Sequence, residues 1–107
     1  MKKSSFYIYE MFFKTLSNKT RFEIIRILKD GPKCVKEICD RLKFEQSRIS
    51  HNLKRLESCG FVTCKHKGKQ RIYSIDAEYI LPIINSIERF IKKYDKRLKV
   101  CHVRIKT

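Results

Sequence analysis

Residues 34 to 75 place a short helical stretch, a brief turn, a longer helical stretch, a glycine and two short strands in immediate succession, and few folds accept that order. In the central segment "EQSRISHNLKRLESCGF", residues 45 to 61, Ile49, Leu53 and Leu56 recur at helical intervals and mark a core side. Ser47, His51, Lys54, Arg55 and Ser58 fall on the opposite side, and Gly60 stops the helix. Upstream, Cys34 to Leu42 reads as a short helix with Val35, Ile38, Cys39 and Leu42 on one face, and Lys43 to Glu45 form the turn. Downstream, Phe61 to Cys64 and Arg71 to Ile75 read as strands, with "KHKGKQ" between them supplying one glycine for the bend and an almost wholly cationic tip.

The flanks are helical as well. Residues 5 to 16 carry Phe6, Tyr9, Phe13 and Leu16 at helical spacing, broadened by Ile8 and Phe12. "SNKTRFEIIRILKDGP" offers Ser17 or Asn18 as an N-cap, an apolar run through Phe22, Ile24, Ile25, Ile27 and Leu28, and Gly31-Pro32 as a stop, so this helix belongs inside the domain. From Asp76 a long helix runs through Ile80, Ile84, Ile87, Ile91, Tyr94 and Leu98, a heptad seam widened by Ile83 and Phe90. Pro82 bends that helix or delays its first turn. The seam either covers the chain's own core or pairs with a second copy. Because the preceding helices already fill a core of this size, a dimer seam is expected at Ile80, Ile84, Ile87, Ile91 and Tyr94, joined by Phe6, Tyr9 and Phe13.

With 107 residues the chain is expected to form a single domain spanning 1–107. The expected fold is mainly α with a small β-hairpin: a winged helix-turn-helix of about five helices and a two-stranded wing. Its parts are dimerisation helices at 5–16 and 76–98, a helix-turn-helix at 34–59 and a wing at 61–75. The 26 Lys plus Arg outnumber 11 Asp plus Glu, for a formal charge of +15, and a folded polycation fits a polyanion. Double-stranded DNA is the leading partner; an anionic membrane or a merely solvated Lys-rich surface are the alternatives. Neither a signal-peptide core nor a membrane span is legible, because Glu10 and Lys14 interrupt the aromatic N-terminal run. Five cysteines at irregular spacing argue for a reducing compartment, and the cytoplasm is expected.

In a helix-turn-helix the second helix enters the major groove. Gln46, Ser47, Arg48, Ser50 and His51 would then face base edges, and Lys54 and Arg55 would meet phosphates. Lys65, His66, Lys67, Lys69, Gln70 and Arg71 form a wing able to follow the backbone or enter a minor groove. No nucleophile–base pairing, phosphate-cradling glycine loop or carboxylate-rich metal motif is present, so neither an enzyme nor a small-molecule substrate is expected. The competing reading is a winged-helix protein-interaction or architectural nucleic-acid module without operator specificity.

The helix order, together with "LSNKTRFEIIRIL", "CVKEICDRL", "QSRISHNLKRLESCGFV" and "KGKQRIYSI", resembles the ArsR/SmtB family of winged helix-turn-helix repressors over about residues 8 to 95. The resemblance implies a homodimeric transcriptional regulator on a two-fold symmetric operator, controlled by a metal ion, metalloid or redox signal, with the first and last helices forming the dimer. Two departures stand out. Lys43, Phe44 and Glu45 replace the family's glycine followed by Leu-Ser in the turn, and Lys19 stands where a proline is common.

Arsenic-sensing members open the third helix with Cys-x-Cys-x-x-Cys. Here Cys34 and Cys39 match the first and third positions, but Lys36 replaces the middle cysteine. Two thiolates five residues apart on a helix point about 140 degrees from each other, too few and too divergent for a thiophilic metal or metalloid. A metal or thiol sensor at this pair is the alternative left open, and no bound cofactor is expected. The family's other site, on the last helix, would have Asp76, Glu78 and Glu88 but no histidine. Cys59 reads as packing, Cys64 as a cysteine ahead of the wing tip, and Cys101-His102 as a ligand pair that nothing completes.

Overall fold

The computed structural model describes the backbone of residues 3–106 and the side chains of residues 5–101. His102 therefore lies outside the described side chains. In chain order the elements are α1 (Lys3–Ser17), α2 (Lys19–Leu28), β1 (Lys33–Cys34), α3 (Val35–Leu42), α4 (Gln46–Ser58), β2 (Val62–Lys67), β3 (Gln70–Ile75) and α5 (Ile80–Lys106). They fall into two compact units, Met1–Asp76 and Ala77–Thr107.

In the first unit the expected helical stripes meet. Ile24, Ile25 and Leu28 of α2, Ile38 of α3, Ile49, Leu53 and Leu56 of α4 and Val62 of β2 are fully buried. Each such side chain contributes about 1.5–3 kcal/mol through removal of apolar surface from water. Asn18 caps α2, its Oδ1 accepting from the Arg21 backbone N–H at 3.0 Å. The last turn of α1 is anchored by buried Leu16 and Thr15, and the Phe12 ring meets Phe61 at 5.3 Å between centroids. The rest of the α1 apolar face is bare: Phe6, Tyr7, Ile8, Tyr9 and Phe13 are all more than half exposed.

The expected two-stranded hairpin is the larger part of a three-stranded antiparallel sheet of order β1-β3-β2. In β2 and β3 the pairing runs from Val62 with Ile75 to Lys67 with Gln70, and Gly68 turns the tip at φ 64°. The short strand β1 adds Lys33 opposite Tyr73 and Cys34 opposite Ile72. Its two residues carry no alternation, which is why the sequence does not announce it. As a result Cys34 ends a strand and precedes α3 rather than forming the first residue of that helix.

The turn between α3 and α4 solves the missing glycine by strain. Lys43 adopts φ 60° and ψ 36°, and its N–H donates to the Cys39 carbonyl at 2.8 Å. A non-glycine residue in this left-handed conformation costs about 1–2 kcal/mol. Glu45 then precedes α4 without a side-chain cap.

The second unit is dominated by α5. It begins at Ile80, after a turn through Ala77–Tyr79, and not at Asp76; Pro82 sits in its first turn, where the missing N–H is harmless. Nor is the heptad rod continuous. Tyr94, at φ −112° and ψ 18°, is non-helical and breaks the helix. Its ring lies 4.9 Å from Phe90, with Lys93 and Arg97 against its faces. The expected seam is corrected at its start. Ile80 and Ile84 are buried, unlike the residues further along the stripe, because 3-4 spacing marks any covered stripe regardless of what covers it. Ile83, Phe90, Ile91, Leu98 and Val100 form the exposed apolar set, with Ile87 and Tyr94 half-buried. Among the described residues no helix is long and apolar enough to cross a membrane.

Candidate nucleic-acid interface

With Ile49, Leu53 and Leu56 buried, α4 turns its other side to solvent, where Gln46, Ser47, His51, Lys54 and Arg55 are exposed and Ser50 is half-buried. Between this side of α4, the start of α3 and the wing lies an open cleft of about 550 Å³. From α4 it is lined by Gln46, Ser50, His51, Lys54 and Glu57, and from the wing by Lys69, Gln70, Arg71 and Tyr73. The remaining wall is Cys34, Val35 and Lys36. Lys36, Lys54, Lys69 and Arg71 face one carboxylate, Glu57, so the cleft is cationic and suited to a backbone phosphate. Ser47 and Arg55 of α4 and Lys65, His66 and Lys67 of the wing are exposed but do not line the cleft. The cleft adds Val35, Lys36, Glu57 and Tyr73 to the site residues expected from sequence. Lys36 was legible, because it lies about 200 degrees around α3 from buried Ile38. Tyr73 is buried, and its phenol is pushed up by that burial first and by the neighbouring Cys64 thiol second.

Arg48 departs from the expected pattern. Its Nε and Nη2 donate to the Thr20 hydroxyl oxygen at 2.9 and 2.7 Å, and its guanidinium carbon lies 3.7 Å from the centre of the Phe44 ring. One turn later Asn52 is buried on the core side, within about 60 degrees of Ile49, and its Nδ2 donates to the Arg48 carbonyl at 2.8 Å. Asn52 Oδ1 accepts from Arg21 Nη1 at 3.2 Å, and Arg21 Nε donates to the Thr15 carbonyl at 2.9 Å. Arg21 also reaches the Lys14 carbonyl through Nη2 at 3.4 Å. Partial burial, and after it the positive charge of Arg55, lowers the Arg21 pKa from its usual value. The network ties the end of α1, the start of α2 and the middle of α4 together.

Among the described residues no three His, Cys, Asp or Glu side chains come together to hold a metal ion. All five cysteines are free thiols. Glu37 accepts from the Cys34 backbone N–H at 3.0 Å, and this bond first, with the Cys34 thiol second, lowers its carboxyl below the usual value. The Cys39 thiol is raised by burial and then by Asp40. A thiophilic ion asks for deprotonated sulfur, which the raised Cys39 thiol yields less readily, and for at least three donors, which the described residues do not gather here.

A three-helix core presenting an exposed polar-basic helix beside a cationic hairpin defines a winged helix-turn-helix protein. The model for bacterial regulatory proteins of the arsR family matches residues 18–63, from the α2 cap into the wing. Transcriptional repressor SdpR of Bacillus subtilis is 30% identical over 86 residues, covering 80% of this chain and 96% of that one. An arsenical resistance operon repressor of Staphylococcus xylosus is 29% identical over 82 residues, covering 71% of this chain and 79% of that one. Among solved structures, the homodimeric winged helix-turn-helix DNA-binding domain of Mb0332 from Mycobacterium bovis superposes with a TM-score of 0.78 at 20% identity, covering 91% of this chain and 93% of that one. The chain belongs to the arsR family of bacterial regulatory proteins and is a DNA-binding transcriptional regulator.

Proposed function

We propose that the protein is a repressor that binds a two-fold symmetric operator as a homodimer, reading bases with α4 and holding phosphates with the wing. The observation that carries this reading is the convergence of Gln46, Ser50, His51 and Lys54 of α4 with Lys69 and Arg71 of the wing on one cationic cleft. Ser47 and His51 are the base-reading residues, with Gln46 and Ser50 beside them; Lys54, Arg55, Lys65, Lys67, Lys69 and Arg71 contact phosphates. The dimer is supported by the bare α1 face at Phe6, Tyr9 and Phe13, by exposed Ile91 beside half-buried Ile87 and Tyr94, and by the homodimeric state of the Mycobacterium bovis neighbour. The whole chain works as one functional domain in the cytoplasm, without catalysis, and regulates by occupancy alone. Staphylococcus xylosus has a relative named for arsenical resistance, but the Cys34 and Cys39 pair lacks the third donor such an effector needs.

The test is a binding selection from random DNA followed by titration of Ser47→Ala and His51→Ala. Each variant is expected to weaken the selected operator by tenfold or more, since a good base contact is worth about 1–3 kcal/mol, while leaving random DNA unaffected. Equal weakening on both DNAs would show that α4 does not read sequence.

A further inference from the structure

We propose that Arg48 is a positioning residue that sets how α4 leaves the turn, and that it does not read a base. The inference rests on the operator-binding reading and identifies what aims the helix that does the reading. The expected family turn would end α3 on glycine and cap the next helix with a small hydroxyl. Here Lys43 bears the left-handed strain and α4 starts without a side-chain cap. A helix start so weakly fixed needs another anchor, and Arg48 supplies it from the first turn.

The geometry is that of a clamp. Two N–H groups of one planar guanidinium converge on the Thr20 oxygen, and the face of the same group covers Phe44 in the turn. Thr20 is only 5% exposed, so its hydroxyl has no ready substitute in water, and it sits in the first turn of α2. The clamp therefore joins three points: the α2 start, the turn and the first turn of α4. The Asn52 amide, bonded to the Arg48 carbonyl and to Arg21, fixes the same helix one turn further along. Ser47 and Ser50 flank Arg48 in sequence, so a rotation of α4 about its axis displaces the proposed reading side chains together.

The experiment uses the full chain and an operator obtained by selection. Thr20→Val removes the acceptor, keeps the shape and lies at a buried position, whereas Arg48 itself is exposed. Thr20→Val and Arg48→Ala are each expected to lower operator affinity about tenfold. The double variant should be no weaker than either single one. Base preference should weaken evenly along the operator in all three, with no single base pair losing it alone, and Thr20→Ser, which restores the hydroxyl, should bind as the parent does. Circular dichroism and thermal melting confirm that each variant is folded. A base-reading Arg48 gives the opposite pattern: Arg48→Ala loses preference at one base pair, while Thr20→Val binds as well as the parent or better. That pattern overturns the proposal, as does unchanged affinity in both single variants. Failure of the operator reading itself would appear earlier and separately, as a parent protein that selects no motif.

Discussion

Replacing Lys54, Lys69 and Arg71 together by glutamine is expected to lower DNA affinity on the order of 10³-fold at moderate salt, and by the same factor for operator and random DNA. All three side chains are exposed and line the cleft between α4 and the wing, so their charge is removed without opening the core. Neutralising a phosphate displaces condensed counterions, which makes log K fall with log salt by about 0.9 per contact. Loss of three contacts per protomer should flatten the slope by about 2.7, and by roughly twice that for a dimer. Titration by fluorescence anisotropy over a salt series measures both quantities. An unchanged slope would remove the cleft from the phosphate path, even with affinity reduced.

Placing carboxylates on the bare apolar faces, through Phe13→Glu with Ile91→Glu, should yield a folded monomer. Phe13 is 64% and Ile91 43% exposed, so neither substitution injures the core of the isolated chain. In a dimer the same positions would bury unpaired charges, which costs far more than an interface of this kind returns. Sedimentation equilibrium should report the mass of one chain. Affinity for a full operator should drop about 10²-fold or more, because the second half-site no longer benefits from the effective concentration of a linked partner. A variant that remains dimeric would place the self-association surface elsewhere.

The fold was legible where a pattern repeats. Ile49, Leu53 and Leu56 on one flank of α4, the caps and stops around α2, and the single glycine in a cationic hairpin each specify local structure, and all agree with one another. The strand β1 was not legible, since two residues held by backbone pairing to β3 leave no side-chain signature. Nor was the break at Tyr94, which interrupts an otherwise regular 3-4 series without glycine or proline at that position. The heptad reading over-reached for a related reason. Spacing reports that a stripe is covered but not by what, and Ile80 and Ile84 are buried where Ile91 is exposed.

The candidate interface shows the same division. Which side of α4 faces outward follows from helical geometry, so the exposure of Ser47, His51 and Lys54 was legible in the sequence. The contacts of Arg48 with Thr20 and Phe44 were not, because its position on the wheel admits solvent as readily as these partners; only the packing of α2 against α4 brings them together. Asn52 did leave a signal. A polar residue within about 60 degrees of a buried isoleucine must find a partner inside the protein, and Arg21 is that partner.

The most direct test of the central claim is a hydroxyl-radical footprint of the full-length protein on a selected operator. Two recognition helices presented by a dimer should protect two equivalent patches whose centres lie about one helical turn apart, roughly 34 Å, or a whole multiple of it. Their inverted sequences should each lose definition when Ser47 is alanine. A single protected patch, or two patches of unrelated sequence, would contradict a paired reading of DNA by α4.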